Sequence, residues 1–152
     1  DFTVQKAVEL GVSRIQPLAT GKSVVRLGDE RAAKRVQHWQ RVVIAACEQC
    51  GRNRVPAVEK IADLTEWLTR LSPNDCESRW QLSPDGSQTL RDLKKPDPVL
   101  LLCGPESGFT QEEEDAAQRA GFVTLKLGPR TLRTETAAIT ALAAMQAQWG
   151  DL

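Results

Sequence analysis

Nowhere does an apolar run approach the roughly 20 consecutive residues that a membrane-spanning helix requires. Nor does the chain open like a secretory precursor: Asp1-Phe2-Thr3-Val4-Gln5-Lys6 has no basic start, no apolar stretch behind it and no initiator methionine. The expectation is a cytoplasmic domain cut from something longer, with no membrane partner. An excess of either charge is missing too. Lys plus Arg and Asp plus Glu each number 20, so no global field draws the domain to a polyanion, and affinity for RNA must come from local arginines or from another domain. Metal chemistry lacks ligands. Of the four cysteines (Cys47, Cys50, Cys76 and Cys103) only the first two are close, and the single histidine, His38, lies upstream on the same helix. No metal is expected. The pair closes a helix instead of opening one, so it reads as reduced cysteines packed near a helix end. Two nucleotide fingerprints fail as well. There is no G-x-G-x-x-G run, and Ala19-Thr20-Gly21-Lys22-Ser23 imitates the end of a P-loop but has Gln16 where the first glycine belongs.

What is present is one folded domain over residues 1–152. Hydrophobic residues make up 41% and charged residues 26%, interspersed along the chain, which suffices for one core and would leave two marginal. Residues 2–10 read as a short helix closed by Gly11, residues 12–18 as a strand, and residues 30–50 as a long helix behind an Asp29 cap. Ala32, Val36, Trp39, Val43, Ala46 and Cys50 share one face of it. Ile61, Leu64, Trp67, Leu68 and Leu71 repeat the helical spacing before Pro73 and Asn74 break the chain. Residues 78–82 form a weaker strand, closed by the turn Ser83-Pro84-Asp85-Gly86.

The last third is the most ordered text. Val99-Leu100-Leu101-Leu102-Cys103 is a continuous apolar run of the kind buried on both faces of a sheet. Thr110 and Glu113 then stand in capping-box relation and open a helix to Ala120, with Gly121 in the C-cap position. Residues 122–127 form the next strand, and a final helix begins near Thr134. Strands alternating with helices give an α/β domain with a largely parallel sheet flanked by helices, whose ligands bind beyond the carboxyl ends of the strands.

Three clusters carry chemistry. In Gly104-Pro105-Glu106-Ser107-Gly108-Phe109 the glycines allow close backbone approach to an adenosine-sized ligand; the same loop also serves as a bare strand-to-helix connection. In residues 127–137, Arg130, Arg133, Thr134, Glu135 and Thr136 crowd the mouth of a helix, whose free N–H groups and dipole favour acceptors. Ordinary capping, with Thr134 as N-cap, accounts for part of this and not for both arginines. At the end of the long helix, Gln49 and Asn53 offer hydrogen bonds to a base, and Arg52 and Arg54 offer phosphate contacts; arginines there also suit the helix dipole.

Together and in this order, these clusters resemble the SPOUT-class methyltransferases that modify N3 of a uridine in small-subunit ribosomal RNA. The matching text is Gln5-Lys6-Ala7-Val8-Glu9-Leu10-Gly11-Val12, Glu48-Gln49-Cys50-Gly51-Arg52, the 104–109 loop and residues 127–137. Two stretches depart from the family: Ser107 stands where a second glycine is usual, and Thr20-Gly21-Lys22-Ser23 replaces a Ser-Glu-Arg type sequence.

The resemblance implies a C-terminal trefoil knot, S-adenosyl-L-methionine as cofactor, a homodimer, and a separate N-terminal RNA-binding domain outside this chain. It implies a cofactor pocket lined by Leu102, Gly104, Pro105, Glu106 and Gly108 from one loop, and by Leu127, Gly128, Leu132, Thr134 and Thr136 from the other. Arg133 would stabilise the developing imide anion, with Glu135 as base or orienter. Gln49, Arg52, Arg54 and Arg130 would hold the ribosomal RNA or small ribosomal subunit. Alternatives on the same fold are action on another RNA, such as transfer RNA, and a non-catalytic RNA-binding module. On the final helix, Ala138, Leu142, Met145 and Trp149 form one stripe to cover the sheet, and Ala137, Ala141, Ala144 and Gln148 a neighbouring one expected to meet a second copy.

Overall fold

The computed structural model describes residues 1–22, 28–72, 78–95 and 98–152. Ser23, Pro73, Asn74 and Cys76, named above, lie outside the described residues. The first helix, α1 (Phe2–Glu9), buries Val8 and is followed by Gly11 at φ +90°. A Cβ there would stand 2.2 Å from Gln146 Nε2, which itself donates to Leu10 O at 2.8 Å. The left-handed backbone at position 11 favours glycine, and a side chain there would also displace the Gln146 amide from its bond to Leu10 O.

The strand expected over residues 12–18 is two short ones, β1 (Arg14–Ile15) and β2 (Leu18–Ala19). Pro17 between them has no N–H for a ladder. Gln16 Nε2 bridges the break by donating to Pro17 O and Lys60 O.

The long helix α2 (Asp29–Cys50) starts one residue earlier than its spacing predicts, with Gly28 at the N-cap. Its buried face is Val43, Ala46 and Cys47. Cys50 is exposed, contrary to expectation, and turns its thiol towards Cys47 O within its own helix. Only Cys47 of the pair is core.

Two further strands, β3 (Ala57–Val58) and β4 (Ala62–Asp63), pair in parallel with β1 and β2 respectively. This second pairing draws Ile61 and Ala62 out of the expected helix. Helix α3 (Leu64–Arg70) therefore begins behind Asp63, whose side chain accepts the Glu66 N–H.

The main sheet contains β5 (Ser78–Leu82), β6 (Gln88–Thr89), β7 (Val99–Leu102) and β8 (Val123–Lys126) in the order β6-β8-β5-β7. Every pairing is parallel, as expected. The strand that looked weaker, β5, lies inside the sheet. The apolar run, β7, is at its edge, with Val99, Leu100 and Leu101 only half-buried. Helix α4 (Gln111–Arg119) carries the full Thr110–Glu113 capping box, and Gly121 follows its end at φ +84°.

The final helix α5 (Thr134–Trp149) has Arg133, not Thr134, at its N-cap. Its stripes also fall differently from expectation. Ala141 is fully buried inside the chain, whereas Leu142, Met145 and Trp149 line an apolar groove with Val4, Ala7, Leu100 and Leu102. Met145 and Trp149 also pack on Trp80 and Leu125, the Trp80 and Trp149 rings lying 5.8 Å apart at 47°. An all-round apolar helix has no polar face to announce its orientation.

Candidate active site

Three loops leave the carboxyl edge of the main sheet side by side, following β5, β7 and β8. Between them lies a cleft of about 520 Å³, within the range of about 300–1,000 Å³ usual for small-molecule sites.

The loop after β5 supplies Ser83 and Pro84. Its turn is closed by Gly86 N–H donating to Ser83 O at 3.2 Å. A Cβ at Gly86 would lie 2.6 Å from the β8 backbone, so only glycine lets this turn lie against its neighbour.

The loop after β7 supplies Cys103, Gly104, Pro105, Glu106, Gly108 and Phe109. Gly108, at φ +68°, donates to Pro105 O at 2.9 Å, closing a turn within the loop. The Phe109 ring folds back over Gly104, where a Cβ would stand 3.0 Å from it. Burial pushes the Cys103 thiol up to about 12, so it stays protonated and is no nucleophile near neutrality.

The segment before the long helix grips this loop from outside. Lys22 Nζ donates to Ser107 O at 3.1 Å and to Phe109 O at 2.9 Å. Gly21 N–H donates to Glu113 Oε1 at 2.7 Å.

The loop after β8 supplies Leu127, Gly128, Arg130, Thr131, Leu132, Arg133 and Thr134. The N-terminus of α5 opens at the same place, so its positive dipole end and two arginines share one wall. Glu106 and Glu114 are exposed on the rim with Arg130 and Arg133. The walls between, from Leu82, Leu125, Leu127 and Leu132, are apolar. A flat base suits these walls, and a zwitterionic chain suits the charged rim.

A model of the RNA methyltransferase domain family matches residues 1–146. The chain belongs to this family. Ribosomal RNA small subunit methyltransferase E of Buchnera aphidicola is 39% identical, over 100% of this chain and 61% of that protein. The enzyme of the same description from Neisseria gonorrhoeae, crystallised with S-adenosylmethionine, is 44% identical over 99% of this chain and 61% of that one, with a TM-score of 0.90. A Legionella pneumophila protein, also crystallised with S-adenosylmethionine, is 43% identical over 99% of this chain and 62% of that one, at a TM-score of 0.92. The chain spans about three fifths of the length of these relatives.

Against this family background, the residues named from sequence divide clearly. Gly104, Pro105, Glu106, Gly108, Leu127, Gly128, Leu132, Thr134, Arg130 and Arg133 all form walls of the one cleft. Leu102 is buried beneath it in the core, beside Leu64 and Ala117. Glu135 and Thr136 occupy the first turn of α5 without forming a wall. Gln49 and Arg54 are exposed at and beyond the end of α2, apart from the cleft walls. Arg52 is half-buried, and its Nη1 donates to Val8 O at 2.7 Å and Val12 O at 2.9 Å, tying the end of α2 to the end of α1.

Sequence reasoning missed Gln81, Leu82, Ser83 and Pro84 as site residues. The rule that ligands bind beyond strand ends applies to β5 as much as to β7 and β8. Once β5 is placed between those strands, its loop must face the same cleft. Among the described residues no three metal-ligating side chains cluster.

Proposed function

We propose that this chain is the catalytic domain of a cytoplasmic S-adenosylmethionine-dependent enzyme that methylates N3 of a uridine in small-subunit ribosomal RNA. The observation that carries the reading is the convergence of the three strand-end loops on one cleft, with apolar walls, a charged rim and Arg133 at a helix N-terminus. When bound, S-adenosylmethionine supplies an electrophilic methyl group. The N3–C bond forms as the S–C bond breaks, and the N3 proton must leave a weakly acidic imide. Holding two reactants in line is worth up to about 7–11 kcal/mol, against about 10²–10⁴-fold for general-base help, so positioning by the loops dominates.

Arg133 lies on the wall where negative charge develops on the uracil ring and offsets it. Glu135, half-buried in the first turn of α5, is the candidate base or orienter. Arg130 on the rim and Gln49 and Arg54 on the outer end of α2 contact the RNA strand, while Arg52 braces the surface beneath them. A homodimer covers the apolar groove of Leu100, Leu142, Met145 and Trp149. A C-terminal knot and a separate RNA-binding domain complete the enzyme.

The test is nucleoside mass spectrometry of small-subunit ribosomal RNA from cells lacking the corresponding gene, before and after treatment with the protein and S-adenosylmethionine. Gain of N3-methyluridine is expected. Methylation of transfer RNA instead, or of another position in the ribosomal RNA, overturns the substrate.

A further inference from the structure

We infer that Gln81 reads the adenine base of the cofactor through its side-chain carboxamide; the inference rests on the cofactor assignment just proposed. Gln81 is the penultimate residue of β5, in register with Leu102 on one side and Thr124 on the other, so its backbone is fixed inside the sheet. The residue as a whole is 4% exposed. Among the described residues it shares deep burial of a polar side chain only with Glu113, which is fully occupied by Gly21 and the Thr110 cap. The Gln81 carboxamide has no such occupation: it hydrogen-bonds to no described residue. Every enclosed side-chain polar atom among the described residues has a partner, so the carboxamide must open on to the cleft whose wall it forms.

A carboxamide so nearly enclosed keeps little of its hydration, and an apolar side chain would fill this strand position without that desolvation cost. A glutamine there serves a partner that arrives with the ligand. The surroundings say which part of the ligand. Beside Gln81 the cleft is apolar, from Leu82, Leu125 and Phe109, which suits the plane of a base. The groups that answer an ammonium and a carboxylate, Glu106, Glu114, Arg130 and Arg133, are all exposed on the rim. The methionine end therefore lies outward and the base inward. A carboxamide presents a donor and an acceptor side by side, matching the amino group and neighbouring ring nitrogen of adenine.

Gln81→Met removes donor and acceptor at nearly constant volume. S-adenosylmethionine, S-adenosylhomocysteine and 5′-methylthioadenosine are titrated calorimetrically into the wild-type protein and the variant. All three affinities are expected to fall by one common factor, on the order of tenfold for a lost hydrogen-bonded pair, while the unliganded variant melts no lower than the wild type. Gln81→Leu, which also lacks both donor and acceptor, is expected to show the same common loss and serves if the methionine variant does not fold. Unchanged affinity for 5′-methylthioadenosine overturns the inference. So does a loss confined to the two ligands with an amino-acid chain, or a raised KM for RNA with cofactor affinity intact. Failure of the wild-type protein to bind any of the three would instead remove the cofactor assignment itself.

Discussion

The Gly21 N–H donates to Glu113 Oε1 at 2.7 Å, while Glu113 Oε2 takes the Thr110 N–H at 2.8 Å. One buried carboxylate thus caps α4 and anchors a segment 92 positions earlier in the chain. Glu113→Ala leaves two backbone donors without their partner, and the expected loss is about 1–3 kcal/mol of folding stability. Glu113→Gln keeps one carbonyl acceptor and is expected to lose less. Denaturant unfolding of both variants checks this. Equal stability of the alanine variant and the wild type would contradict it.

Gly108 holds φ +68° with open space where a Cβ would stand. Gly108→Val therefore meets no clash and pays only backbone strain, of order 1–2 kcal/mol. The turn closed on Pro105 O is expected to open, weakening S-adenosylmethionine binding at least tenfold in a protein that still folds. Calorimetry on the folded variant decides, and unchanged affinity would argue against this loop as part of the site.

Ala141, on α5, is 0% exposed within the single chain. Ala141→Glu is expected to unfold the domain outright, since a buried unpaired carboxylate costs more than about 3 kcal/mol. Leu142→Glu, in the open groove, is expected to leave the fold intact and split the proposed dimer. Sedimentation at micromolar concentration, paired with circular dichroism, separates the two outcomes. A folded Ala141→Glu monomer would reverse the assignment of the two stripes.

Burial raises the Cys103 thiol from 9.0 to about 12. The protonated form is the neutral one, so between these values the unfolded chain releases a proton that the folded chain retains. Folding stability contributed by this group is complete below about pH 9 and falls as pH rises towards 12. The same burial predicts slow alkylation. At pH 8, iodoacetamide is expected to label the exposed Cys50 well before Cys103, read by peptide mass spectrometry. Equal rates would mean that the cleft floor is open to reagent.

Much of this arrangement was legible because local chemistry dictated it. The capping box at Thr110 and Glu113 and the glycine after α1 each need few partners to explain them, whereas the apolar run of β7 marks a strand without telling that it lies at the sheet edge. Other features depend on what lies across the fold. Strands β3, β4 and β6 are two residues long, too short for any alternation to show. The periodicity of α5 groups Ala141 with Ala137, and Leu142 with Ala138, without saying which stripe faces inward. Gln81 carries no signal of its own: a glutamine between Trp80 and Leu82 reads as the outward face of an exposed strand until β7 and β8 close around it.

The bond from Gln146 to Leu10 O joins positions 136 residues apart. At about 5–20 residues per second of synthesis, the α5-facing side of α1 stays uncovered on a growing chain for on the order of ten seconds. Its other side docks on α2 much sooner. The cleft shares that schedule, since its last wall is the mouth of α5: no nascent stretch that stops short of Thr134 can complete it.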